Sequence, residues 1–149
     1  MLVILISASE LDRPVAEKII AELSKYSIPY QEHVLSAHKV PEKVYKLIIE
    51  NNHSDKKICY ITIVGRSNGL SGVVAANSIH PVIACPNFTD KTDYLVNIHS
   101  TLQMPSDTPV LAVIQPENAA MAAARILGLS ERSLQGKIKK RIEEIKTAY

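Results

Sequence analysis

The sequence predicts an α/β protein: a three-layer, doubly wound parallel sheet of five main strands, with helices closing the C-terminal third. Three observations lead there. Short apolar, β-branched runs recur at residues 2–6, 28–35, 58–64, 81–85 and 109–114, so strand starts lie 23 to 30 residues apart, the length of a βα unit. Helical periodicity fills the gaps between them. Four of the five runs are apolar almost throughout instead of alternating, which marks strands covered on both faces of a parallel sheet. Right-handed crossovers then wind the chain into a flavodoxin-like sandwich, whose ligands bind beyond the carboxyl ends of the strands at the switch point. A length of 149 residues fits one domain, 1–149, with a single core.

The elements follow in order. The first run is too short to span a bilayer, lacks a basic leader and runs directly into a polar turn, so it is a strand. Val15, Ile19, Leu23 and Tyr26 then share one helical face. The second run carries Gln31, Glu32 and His33 and fits a sheet edge. Pro41 opens a second helix, on which Val44, Leu47 and Ile48 share a face. The third run breaks on "GRSNG" and resumes at helical spacing as "LSGVVAAN". After the fourth and fifth runs comes an alanine-rich helix, residues 117–127, stopped by Gly128 through the left-handed conformation that glycine tolerates. So much alanine lets another backbone approach closely. The last helix puts Leu134, Ile138, Ile142 and Ile145 on one stripe, to pack on the same chain or on a neighbouring subunit, and Lys137, Lys139, Lys140 and Arg141 largely off it, either a solvated basic face or a polyanion contact.

Composition excludes several classes. Apolar residues make up 46% and charged residues 21%, which rules out a disordered chain. Lys plus Arg exceed Asp plus Glu by 17 − 15 = 2, too little for a nucleic-acid partner. Cys59 and Cys85 sit inside apolar runs without C-x-x-C spacing and read as buried thiols of a reducing compartment, the cytoplasm. His33, His53, His80 and His99 pair at no metal-ligand spacing, so no metal is expected.

Chemistry concentrates in the turns after the first three strands. In "SASELD", Ser9 brings a hydroxyl to a helix entry, and Asp12 is either the cap of that helix or a carboxylate that accepts from sugar hydroxyls. In "LSAHKV", Ser36, His38 and Lys39 combine a hydroxyl, an imidazole and a fixed positive charge; His38 is either a plain surface histidine or a general acid and base. In "GRSNGLSG", the glycines permit unusual backbone shapes, Gly72 permits close packing, and the turn's amides form a nest for an anion or carbonyl. Arg66, Ser67 and Asn68 then join His38 around one small ligand, or else Ser67 or Asn68 simply caps the following helix.

Taken together, the S-x-x-D turn, "SAHK" and "GRSNGLSG" resemble the PurE family, and specifically its class II branch, the 5-aminoimidazole ribonucleotide (AIR) carboxylases. "PVIACP", "LQMPSDTPV" and "ENAAMAAARILGL" look like family segments in family order, so the likeness covers nearly the whole chain. The resemblance implies reversible carboxylation of AIR at ring carbon C4 by CO2, in de novo purine synthesis, without ATP, metal or organic cofactor. It implies that Ser9, Asp12, Ser36 and Lys39 hold the ribose-phosphate of a ribonucleotide monophosphate, that His38 transfers the proton, and that Arg66, Ser67, Asn68, Gly69 and Leu70 wall the new carboxylate. It also implies a symmetric homo-oligomer, an octamer or tetramer; class II domains also occur fused to a succinocarboxamide synthetase domain, whereas this chain, ending at Tyr149, is expected to act alone.

Class I members, mutases of N5-carboxy-AIR, look like "SAHR" and place a second histidine in a "GGAAHL" type loop. Here Lys39 takes the arginine's position and Gly69 the histidine's, which favours the direct carboxylase over the mutase. Ala8 and Leu11 depart from the family's "GSxSD" pattern, and Leu11 removes a hydroxyl near the expected phosphate. A catalytically silent nucleotide-binding module is the reading those two departures would favour.

Overall fold

A computed structural model describes residues 1–148; residue 149, the last of the expected domain, lies outside the described residues. The chain forms one sheet of five parallel strands in the order β2-β1-β3-β4-β5. The strands are β1 (Leu2–Ser7), β2 (Tyr30–Val34), β3 (Ile58–Ile63), β4 (Val82–Ala84) and β5 (Leu111–Ala112). Around it wrap α1 (Arg13–Lys25), α2 (Pro41–Asn52), α3 (Gly69–Asn77), α4 (Lys91–Asn97), α5 (His99–Leu102), α6 (Pro116–Gly128) and α7 (Arg132–Thr147), with one 3₁₀ turn at Glu10–Asp12. This is the expected flavodoxin-like order, and its switch point lies between β1 and β3. No described helix is long and apolar enough to cross a membrane.

Strand alternation divides the interior into two layers. Val3 and Leu5 of β1, Cys59 and Ile61 of β3 and Ile83 of β4 face α1 and α6, where Ala16, Ile19, Leu23, Ala119 and Ala123 meet them. Leu2, Ile4 and Ile6 of β1, Tyr60 of β3 and Val82 of β4 face α2 and α3, packing on Val44, Ile48, Leu70 and Val74. Both central strands are therefore buried along their whole length. The second run is the expected edge strand, shortened to Tyr30–Val34.

Three expectations need correction. The fifth run was expected to be covered on both faces, yet β5 is a two-residue edge strand with Leu111 52% exposed, because only β4 pairs with it. A run's hydropathy does not reveal which strand ends the sheet. Gly128 does not stop α6 in the left-handed region, since no described glycine has positive φ. It is there for space: a Cβ on it would lie 3.0 Å from Ile138 Cδ1 of α7. The unusual backbone shape in the turn after β3 belongs likewise not to a glycine but to Ser67, at φ 45°. The alanines of α6 serve the close approach of the same chain, for Ala119, Ala120, Ala123 and Ala124 are all fully buried in the layer shared with α1.

Candidate active site

Backbone hydrogen bonds continue past the strand ends and set the loops of the C-terminal rim in register. Leu35 N–H donates to Ser7 O at 2.8 Å, Ala8 N–H to Ile63 O at 3.0 Å, and Asn87 N–H to Val64 O at 3.3 Å. Four turns thus leave the sheet side by side, after β1, β2, β3 and β4. Sequence reasoning singled out the first three and missed the fourth.

Behind β1, the 3₁₀ turn carries Asp12 into a buried position, 4% exposed. Its Oδ2 accepts from Ser9 N–H at 3.0 Å and from the Ser9 hydroxyl at 3.3 Å. Its Oδ1 accepts from Asn87 Nδ2 at 3.1 Å. Asp12 makes no side-chain cap to α1; its bonds to Ser9 close the capping box of the 3₁₀ turn, and these together with the Asn87 amide satisfy the buried carboxylate. A cleft of about 380 Å³ opens beside it, lined by Ser9, Asp12, Gly65, Arg66, Asn87 and Asp93 among others. Asp93 adds a second carboxylate, held below the usual range by the Thr89 N–H, with smaller help from Asn97, the Thr89 hydroxyl and Arg66. Leu11, at the cleft's edge, is exposed.

Behind β2, Ser36 O accepts from Lys39 N–H at 3.2 Å and from Val40 N–H at 2.9 Å, closing a turn that projects His38 and Lys39 outward. Ser36 is half-buried, His38 and Lys39 exposed. The His38 ring lies over the first residue of α3. A Cβ on Gly69 would fall 2.9 Å from both Cε1 and Nε2 of His38, so only a glycine leaves the imidazole where it is.

The turn behind β3 links the two groups. Its first part, Gly65 and Arg66, lines the cleft beside Asp12; its last residue, Gly69, touches His38. Gly65 allows the fourth turn to close in, since a Cβ there would sit 2.5 Å from the Asn87 carbonyl oxygen. Asn68 is buried and caps α3: its Oδ1 accepts from Ser71 N–H at 3.1 Å and from the Ser71 hydroxyl at 2.7 Å, while its Nδ2 donates to Thr101 Oγ1 at 3.0 Å. The nest of amides is narrower than expected. Gly69 N–H already donates to Ser67 O at 2.7 Å and Asn68 N–H to Ser100 Oγ at 3.0 Å. Leu70 sends its side chain into the core and leaves its N–H at the helix start, where intrahelical partners are lacking.

The structure thus gathers Ser9, Asp12 and Arg66 around one cleft and sets His38 on Gly69 nearby. Ser36, Lys39 and Ser67 share those turns without lining the cleft. Asn87, Thr89 and Asp93 are the polar cleft residues that sequence reasoning missed. The buried carboxylate offers an acceptor for hydroxyl groups, and the exposed imidazole a proton-transfer group on the same rim.

Comparison with known proteins matches residues 2–148 to the family described as "AIR carboxylase". The chain is similar to the phosphoribosylaminoimidazole carboxylase of Archaeoglobus fulgidus, 38% identical over 138 residues that cover 93% of this chain and 75% of that one. It is 39% identical over 142 residues to the phosphoribosylaminoimidazole carboxylase of Treponema denticola, covering 95% and 89%. Among solved structures, that of Treponema denticola PurE superposes with a TM-score of 0.92 at 38% identity, covering 99% of this chain and 92% of that one.

Proposed function

The chain belongs to the AIR carboxylase family, and from that premise we propose that it carboxylates AIR directly at C4 with CO2, giving 4-carboxy-AIR. It is an enzyme of purine biosynthesis, a phosphoribosylaminoimidazole carboxylase. The observation that supports the direct route is the contact between His38 and Gly69, where the imidazole occupies the space that a side chain at position 69 would need.

The aminoimidazole C4 is an enamine-like carbon and attacks CO2 without prior activation. What remains is to hold the two reactants together and to remove one proton. The C4–carboxyl bond forms first; the C4 proton then passes to neutral His38, and the ring regains aromaticity. In reverse, protonated His38 returns the proton to C4 and CO2 departs. Asp12 accepts from ribose hydroxyls in the cleft, with Ser9 beside it. Ser36 and Lys39 take the phosphate, Lys39 as a point charge. Arg66, Ser67, the Asn68 turn, Gly69 and the Leu70 amide flank the developing carboxylate. No organic cofactor or metal takes part in this scheme.

One domain carries the whole reaction, in the cytoplasm, as a homo-oligomer of eight or four subunits. Apolar side chains left on the surface, Leu95 at 55% and Val96 at 67% exposure on α4, support assembly. Light scattering on the purified protein measures the subunit number. For the reaction, purified protein is incubated with AIR and bicarbonate without ATP, and 4-carboxy-AIR is the expected product. Absence of turnover at high CO2 refutes the proposal, and faster consumption of N5-carboxy-AIR than its spontaneous loss of CO2 allows would make the enzyme a mutase.

A further inference from the structure

We propose that Asn87, in the turn after β4, is a positioning residue that fixes the Asp12 carboxylate for ribose binding. The inference rests on the ribotide-carboxylase reading and deepens it at one subsite. An aspartate's last torsion is broad and roughly two-fold, so its rotamer alone does not set where the carboxylate lone pairs point. Bonds to both oxygens are needed. Ser9 holds Oδ2 through its N–H and hydroxyl, at 3.0 and 3.3 Å, and Asn87 Nδ2 holds Oδ1 at 3.1 Å. The amide orientation follows from chemistry: a carboxylate only accepts, and the second group near Nδ2, Leu11 O at 3.4 Å, is an acceptor too.

Asn87 is itself held in place from the main chain. Its N–H donates to Val64 O at 3.3 Å, and its carbonyl oxygen packs against Gly65, where a Cβ would come within 2.5 Å. The fourth turn is therefore clamped to the third, and its carboxamide reaches across to the first. With Asp12 4% exposed, little water is at hand to replace that donor. Both Asn87 and Asp12 line the cleft, so the carboxylate is held where a substrate hydroxyl meets it.

The test compares wild type, Asn87→Ala, Asp12→Asn and the double variant in steady-state carboxylation of AIR, with thermal melts as folding controls. Asn87→Ala is expected to raise KM for AIR about tenfold, the usual effect of losing a hydrogen bond to a charged group, with kcat changed less than about threefold. In the Asp12→Asn background the same change shifts KM less than about twofold, because the carboxylate charge that Asn87 orients is gone. A purely structural tie would instead lower melting temperature and kcat alike in both backgrounds. Asn87→Asp keeps the shape but faces Asp12 with a like charge, and raises KM by more than Asn87→Ala does. Unchanged KM in either Asn87 variant, or equal shifts in both backgrounds, overturns the inference. If wild type forms no 4-carboxy-AIR, the reaction assigned above fails separately. Calorimetric binding of a ribonucleoside monophosphate to the Asn87 variants then decides the positioning role by the same comparison.

Discussion

Replacing Gly69 by alanine separates stability from turnover. The added Cβ falls 2.9 Å from Cε1 and Nε2 of His38, whereas non-bonded carbon atoms rest about 3.5–4.0 Å apart, so one side must retreat by about 0.6–1.1 Å. The helix start is anchored through the buried Asn68 cap, so the exposed imidazole is the partner that moves. Its movement costs little folding energy. Gly69 has no positive φ, so alanine fits its backbone, and the loss of freedom in the unfolded chain stabilises by about 0.4–1 kcal/mol. For a chain of this length that raises the melting temperature by about 1–4 °C. Turnover moves the other way, because a displacement of roughly 1 Å at a positioned group costs on the order of 10²-fold in rate. Thermal unfolding and initial rates of AIR carboxylation on the same preparation measure both. A Gly69→Ala protein that turns over within threefold of wild type would refute the role given to this contact.

Further outcomes follow from the same geometry. His38→Asn should fold normally and lose about 10²- to 10⁴-fold in turnover, as expected for a missing acid-base group; near wild-type rates would remove His38 from the mechanism. Asn68→Ala removes the α3 cap and strips partners from buried Ser71 and Thr101, for a loss of about 2–4 kcal/mol in urea unfolding. Burial pushes the Cys59 and Cys85 thiols up from 9.0 to about 12. Unfolded thiols ionise first as pH rises, so this contribution to stability is whole below pH 9 and falls above it, by up to about 1.4 kcal/mol per pH unit for each thiol, until pH nears 12. Urea titrations from pH 8 to 11 should show that decline, with a shallower slope in Cys59→Ala.

The parallel sheet was legible because β1 and β3 are buried throughout and apolar at every position but Ser7 and Thr62, and both layers draw on the same run, so burial on two faces leaves a visible signature in sequence. The Ser9–Asp12 pair was legible too, being three residues apart in one turn. What stayed hidden depends on distant approach. Asn87 meets Asp12 across 75 positions, and nothing near it in sequence marks it as a polar partner. Gly65 and Gly128 looked like residues chosen for backbone freedom, but each is needed for space against a segment that the local sequence does not name, Asn87 in one case and Ile138 in the other. Leu111 and Val82 are both aliphatic residues in strand runs; only strand order separates the exposed one from the buried one.

The division of the interior reaches as far as the rim. Asp12 stands at the entrance to α1, in one layer, while His38 and Gly69 stand at the entrances to α2 and α3, in the other. In the proposed scheme, grip on the sugar and handling of the proton are therefore mounted on opposite sides of the sheet. A repacking behind α1 can loosen or tighten the hold on the ribose while the imidazole keeps its seat, whereas drift behind α2 moves the imidazole together with Ser36 and Lys39, the phosphate's partners in that scheme. Such a protein can adjust to a new level of substrate without first dismantling its chemistry.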